Sequence, residues 1–123
     1  RKEMLVFGND YDTPDGTGIR DYIHVNDLAI GHAEAFKYLE RENKDLIVNL
    51  GVSKGTSVLE IIQAAEKASG KKVPYRIVER RSGDPASLVA NPSKAFELLG
   101  WKAKYSDIDT IIETTWKAYQ ANA

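Results

Sequence analysis

The first apolar run is Met4-Leu5-Val6-Phe7, too short for a helix and closed by Gly8, so it predicts a strand. From Gly8 to Gly18 the chain turns to Asp, Asn, Gly, Thr and Pro, the composition of a loop. Asp21 to Val25 then alternates, with Tyr22 and His24 on one face and Ile23 and Val25 on the other, which predicts a second strand. There the period changes. Leu28, Ala29, His32, Ala33, Phe36 and Leu39 recur at helical spacing, predicting a helix to about Leu39, with Asn26 as its cap and Val25 and Ile30 as a hydrophobic staple. Glu40 to Asp45 reads as a charged turn, and Leu46 to Leu50 as a buried strand ended by Gly51.

Ser57-Val58-Leu59-Glu60 is a capping box, followed by a helix that turns Val58, Ile61, Ile62, Ala65 and Ala68 inward and stops at Gly70. Val73 to Val78 is the third clear strand, and Pro74 near its start confines it to a sheet edge or to a first position. After a loop from Arg80 to Ala90, Asn91-Pro92 opens a short helix through Leu99 with Gly100 as its stop. Ser106-x-x-Asp109 begins the last helix, one face of which carries Ile108, Ile111, Ile112, Thr115 and Tyr119. Short strands alternating with four helices predict an α/β layer, with no internal repeat and no linker.

At 123 residues the chain is one domain. Its 42% hydrophobic and 28% charged residues are those of a globular protein, not a disordered one. Seventeen basic against 18 acidic residues leave a net charge of -1, with no basic excess to engage nucleic acid or an anionic membrane. The absence of cysteine excludes disulfides and thiolate metal sites and fits a reducing cytosol. No apolar run approaches the roughly 20 residues of a membrane span. The only methionine is Met4, and an opening at Arg1 this close to an apolar strand predicts a fragment of something longer. His24 and His32 lie eight apart with no acidic or thiol partners at ligand spacing, which reads as packed or capped histidine rather than a metal site. Trp101 and Trp116 read as core or flank residues.

Candidate chemistry centres on Gly16-Thr17-Gly18-Ile19-Arg20-Asp21-Tyr22-Ile23-His24-Val25. Arg20 stands where a flexible loop becomes a strand. A guanidinium there either grips a phosphate through its planar fork or makes an ordinary surface ion pair. Arg80-Arg81-Ser82-Gly83-Asp84 offers the same choice, since a local ion pair and a turn at Asp84-Pro85 would account for it equally well.

Arg20-Asp21-Tyr22-Ile23-His24-Val25-x-Asp27-Leu28-Ala29, then Val48-Asn49-Leu50-Gly51, then Arg80-Arg81-Ser82-Gly83-Asp84 stand in an order that resembles the UDP-glucose 4-epimerases. These are extended short-chain dehydrogenase/reductases acting on nucleotide sugars. The resemblance covers essentially the whole chain but only the C-terminal part of such an enzyme. It implies that residues 1–123 form a nucleotide-sugar-binding domain of a Rossmann-type enzyme whose NAD-binding domain lies elsewhere. It implies that Arg20 and Arg81 bind the diphosphate, that Asp84 helps hold the ribose, that Leu5, Val6 and Phe7 lie along the uracil, and that Tyr22 neighbours the phosphates. Leu88 stands where some of these enzymes carry a tyrosine near the sugar, which leaves the preferred hexose open.

The intact enzyme would interconvert UDP-glucose and UDP-galactose in galactose metabolism, through a hydride taken by NAD, as a cytoplasmic homodimer. The signatures of that chemistry are missing from these residues. None of the six tyrosines has a lysine four positions on, and Gly16-Thr17-Gly18 meets Asp21 where a dinucleotide fingerprint needs its third glycine. The expected role is therefore UDP-sugar binding without catalysis or NAD binding by this chain alone, with self-association through uncovered apolar surface. The alternatives are a dehydratase or decarboxylase of the same superfamily, or a stand-alone binding domain.

Overall fold

The computed structural model describes residues 2–123. Two small sheets carry the strands. In the first, β1 (Met4–Phe7) pairs in parallel with β4 (Tyr75–Val78). In the second, β2 (Ile19–Arg20) lies between β3 (Thr56–Ser57), which runs antiparallel to it, and β5 (Ser87–Leu88), which runs parallel. Four helices surround them: α1 (Val25–Glu42), α2 (Val58–Ser69), α3 (Ser93–Leu99) and α4 (Ile108–Ala121). The α/β expectation with four helices holds. Among the described residues no helix is long and apolar enough to cross a membrane.

The expected strand at 21–25 does not form: ladder pairing stops at Arg20, residues 21–24 are irregular, and Val25 already belongs to α1. The chain enters α1 two residues sooner than Asn26 implies. His24 is the cap: its Nδ1 accepts from the Asn26 N–H at 3.0 Å, and its Nε2 lies 2.8 Å from the Thr114 hydroxyl. His24 is thus the capped histidine expected from its sequence setting. The earlier start moves the staple positions from Val25 and Ile30 to Ile23 and Leu28, both half-buried. Val25 itself is 69% exposed.

The face of α1 also differs from its apolar stripe. Asp27 and Gly31 are buried, while Phe36 and Leu39 are exposed. Gly31 explains the inversion. A Cβ there would lie 2.6 Å from Leu50 Cδ1 and 3.2 Å from Trp101 Nε1, so only a glycine lets α1 lie this close to both. Trp101 fills the core and donates from Nε1 to the Asp27 carbonyl at 2.9 Å.

Leu46 to Leu50 is no strand. A strand needs a neighbour for its amides, the described residues supply none, and Ile47 is 83% exposed. The capping box at Ser57 and Glu60 forms as expected, with Glu60 N–H donating to Ser57 Oγ at 3.1 Å and Ser57 N–H to Glu60 Oε2 at 2.7 Å. On α4 the cap is Asp107 rather than Ser106, and Thr115 and Tyr119 stay exposed while Ile108, Ile111 and Ile112 are half-buried.

Ser106 is free for another task. Its hydroxyl takes the His24 N–H at 2.8 Å and donates to the buried Asp27 carboxylate at 2.5 Å. Asp27 also accepts from the Lys104 and Tyr105 amides at 3.0 and 2.9 Å. Burial favours the neutral form of Asp27, but these donors outweigh it and hold the carboxyl below its usual range. A carboxyl depressed in the fold contributes stability that is present above its unfolded value of about 3.9 and is lost as pH falls through the folded value. Asp27→Asn is therefore expected to lower stability at pH 7 by about 2 kcal/mol, with a shallower fall in melting temperature below about pH 4 than the parent chain. Thermal denaturation followed by circular dichroism across pH 2 to 7 checks both.

Candidate functional site

Strand β1 divides its residues between two tasks. The Met4 amide donates to the Pro74 carbonyl and the Gly8 amide to the Val78 carbonyl, both at 2.9 Å. Bonding groups alternate along a parallel ladder, so Met4, Val6 and Gly8 face β4 while the amides and carbonyls of Leu5 and Phe7 face the other edge. No partner strand covers that edge among the described residues. The side chains alternate as well. Val6 is 1% exposed and fills the core, whereas Leu5 and Phe7 are about a third exposed, at 36% and 37%.

Leu5 and Phe7 line a cavity of about 270 Å³ together with Arg20, Tyr22, Arg81 and Asp84. Six of the eight residues expected from sequence thus meet. Val6 is not among them, because its side chain points into the core and its backbone faces β4. Leu88 is not among them either: it sits on β5, 61% exposed and outside the cavity. Met4, Tyr11, Gly18 and Val58 complete the wall. Of these, Tyr11 had a legible signal, as the one aromatic residue in the polar loop from Gly8 to Gly18.

The two guanidinium groups are held differently. Arg20 donates from Nη1 to the Ile19 carbonyl at 2.7 Å and makes no ion pair among the described residues. Arg81 donates from Nε to Asp84 Oδ2 at 2.9 Å, and its guanidinium carbon stands 4.8 Å from the centre of the Phe7 ring. Its sequence neighbour Arg80 turns elsewhere, to Asp10 Oδ1 at 2.7 Å and over the Tyr11 ring at 4.1 Å. Burial raises the Tyr22 phenol above its usual value, with the nearby Arg20 charge opposing, so Tyr22 remains a hydroxyl donor at neutral pH.

The result is two cations against one carboxylate, beside an aromatic face and an unpaired strand edge. That arrangement suits a dianion attached to a flat heterocycle. No histidine lines the cavity, and Gly16-Thr17-Gly18 leads into β2, so no helix N-terminus follows it to receive a dinucleotide pyrophosphate. A larger cleft of about 510 Å³ lies beside α3, between Val52, Phe96 and Trp101, and contains none of the eight residues.

The family model described as GDP-mannose 4,6 dehydratase matches residues 1–115. The chain is 53% identical over 122 residues to a UDP-glucose 4-epimerase of Homo sapiens and 48% identical over 120 residues to one of Lacticaseibacillus casei. These alignments take in 99% and 98% of the chain but 35% and 36% of the relatives, so the chain spans about a third of their length. Among solved structures it is similar to a UDP-glucose-4-epimerase from Stenotrophomonas maltophila with bound NAD and formylated UDP-arabinopyranose. That match has a TM-score of 0.92 and 47% identity, over 100% of this chain and 37% of that one. A UDP-glucose 4-epimerase from Bifidobacterium longum in complex with NAD+ and UDP aligns with a TM-score of 0.86 and 47% identity, over 99% and 36%. A UDP-glucuronic acid 4-epimerase from Bacillus cereus aligns with a TM-score of 0.78 and 26% identity, over 98% and 36%.

Within the cavity wall, Tyr11 is 7% exposed and its hydroxyl has no hydrogen-bond partner among the described residues. An unpaired buried hydroxyl costs about 1–3 kcal/mol. Tyr11→Phe is therefore expected to leave the melting temperature unchanged or raise it, while keeping the ring under Arg80. A fall of several degrees in a thermal scan would contradict this.

Proposed function

Since the chain belongs to the family described as GDP-mannose 4,6 dehydratase, we propose that it is the nucleotide-sugar-holding portion of a UDP-glucose 4-epimerase. The observation that carries this reading is the meeting of Arg20 and Arg81, far apart along the chain, on one cavity walled by Phe7. Two fixed cations match two linked phosphates, and in a partly desolvated cleft they act more strongly than in water. Asp84 offers its remaining lone pairs to ribose hydroxyls. The free edge of β1 offers amides and carbonyls to the rim of a uracil, and Phe7 offers its face.

The choice of reaction within the family is supported by likeness. Identity is about half with the UDP-glucose 4-epimerases and 26% with the UDP-glucuronic acid enzyme. Residues 1–123 act as a domain that anchors the nucleotide so that the hexose beyond it can turn. NAD does not fit these residues. They contain no tyrosine with a lysine four positions on, and the only glycine-x-glycine loop feeds a strand. Its site belongs to a separate part of the whole enzyme, and the step that acts on the sugar belongs there too. A reducing cytosol is the proposed setting, supported by the absence of cysteine. The exposed Phe36 and Leu39 on α1 support self-association of the chain on its own.

Titration with UDP, followed by two-dimensional NMR, tests the reading. The 123-residue chain is expected to bind UDP more weakly than micromolar. Arg81→Ala and Arg20→Ala should each weaken binding roughly tenfold or more, as for loss of a charge-assisted hydrogen bond of about 1.5–3 kcal/mol. Sub-micromolar binding unaltered by Arg81→Ala would overturn the assignment. The same chain mixed with UDP-galactose is expected to yield no UDP-glucose, and turnover would place the chemistry inside these residues.

A further inference from the structure

Arg20 rides on a strand only two residues long. A ladder that short is a weak way to hold a guanidinium in aim. The next residue supplies a restraint. Asp21 Oδ2 accepts from the backbone N–H groups of Val52, Ser53 and Ala90 at 3.1, 3.2 and 3.2 Å, and Oδ1 accepts from Val52 at 3.0 Å. These amides come from two separate segments. Val52 and Ser53 precede β3, and Ala90 follows β5, so the carboxylate binds the approach to one flanking strand of β2 and the exit from the other.

Two backbone features make room for it. At Gly51 a Cβ would stand 2.6 Å from Asp21 Oδ2 and 2.6 Å from the Ala90 side chain, so any larger residue would push the carboxylate out. Ser53 takes φ 58°, a left-handed conformation uncommon outside glycine, and its amide joins that of Val52 on one carboxylate.

We propose that Asp21 is a positioning residue of the diphosphate site, fixing the gap between Arg20 and the Arg81–Asp84 loop. That loop is strung between β4 and β5, and the far side of β5 is fastened through Ala90 to the residue beside Arg20. Asp21 does not line the cavity, so it acts through Arg20 and not on the ligand. The inference rests on the cavity being a diphosphate site.

The test titrates the full chain with UDP and with uridine, which lacks the phosphates, and reads the ratio of the two affinities by NMR. Asp21→Ala is expected to weaken UDP roughly tenfold and uridine less than twofold. Asp21→Asn keeps one oxygen for the three amides and should recover most of the loss. Because Asp21 acts through Arg20, the double variant R20A/D21A should bind UDP no more weakly than R20A alone. Asp27→Asn is the control: it lowers the melting temperature and leaves the ratio unchanged. If Asp21→Ala fails to give a dispersed spectrum, Gly51→Ala displaces the same carboxylate and should show the same UDP-selective loss. The proposal is overturned if UDP and uridine weaken in proportion, if UDP binding is untouched, or if the two substitutions add. Absence of any UDP response in the parent chain, or indifference to Arg20→Ala, would instead remove the diphosphate reading itself, and the role of Asp21 with it.

Discussion

One buried carboxylate sets the frame on which the helices hang. Asp27 lies in the first turn of α1 and gathers the amides of Lys104 and Tyr105 and the hydroxyl of Ser106, just ahead of α4. Its own carbonyl receives the indole N–H of Trp101. Four donors from one loop therefore converge on one residue nearly eighty positions away. Ser106 also catches the His24 amide, which fixes where α1 begins.

This dependence follows from how little ladder the strands supply. Among the described residues, three of the five strands have two residues each. Aspartates take over the task of joining segments. Asp15 receives the Thr17 amide and the hydroxyls of Thr17 and Ser57, tying the glycine loop to the start of α2. Asp21 joins the approach to β3 with the exit from β5. Charge-assisted bonds from several donors to one carboxylate are stronger than neutral ones, and each can be placed without a run of paired residues. The loops are held firmly although the sheets are small.

The parts legible in the sequence were those that depend on neighbours in the chain. The capping box at Ser57 and the glycine stop at Gly100 are local rules, and the fold obeys them, whereas of the expected stripe of α2 only Ile62 is buried and Ala64, outside that stripe, is buried with it. What escaped reading depends on residues far away. Nothing near Ser106 announces that its hydroxyl is claimed by Asp27, so the cap of α4 passes to Asp107. Nothing near Gly31 announces the closeness of Trp101, so the wrong face of α1 looked inward. Leu46 to Leu50 has the composition of a buried strand but no neighbour within the described residues. The grouping of Arg20, Arg81, Asp84 and Phe7 was legible only through likeness to a family, since no spacing rule links positions so far apart.

The edge of β1 that no strand covers among the described residues carries a liability along with its use. Main-chain groups that can meet a flat ring can equally meet another chain, and Leu5 and Phe7 have neither a proline nor a lysine between them to discourage it. Two features limit the hazard. The strand is four residues long, and Gly8, at φ 93°, turns the backbone away at once. A fifth paired residue would lengthen the exposed template without improving the grip on a single base, so brevity here guards against fibril-like growth.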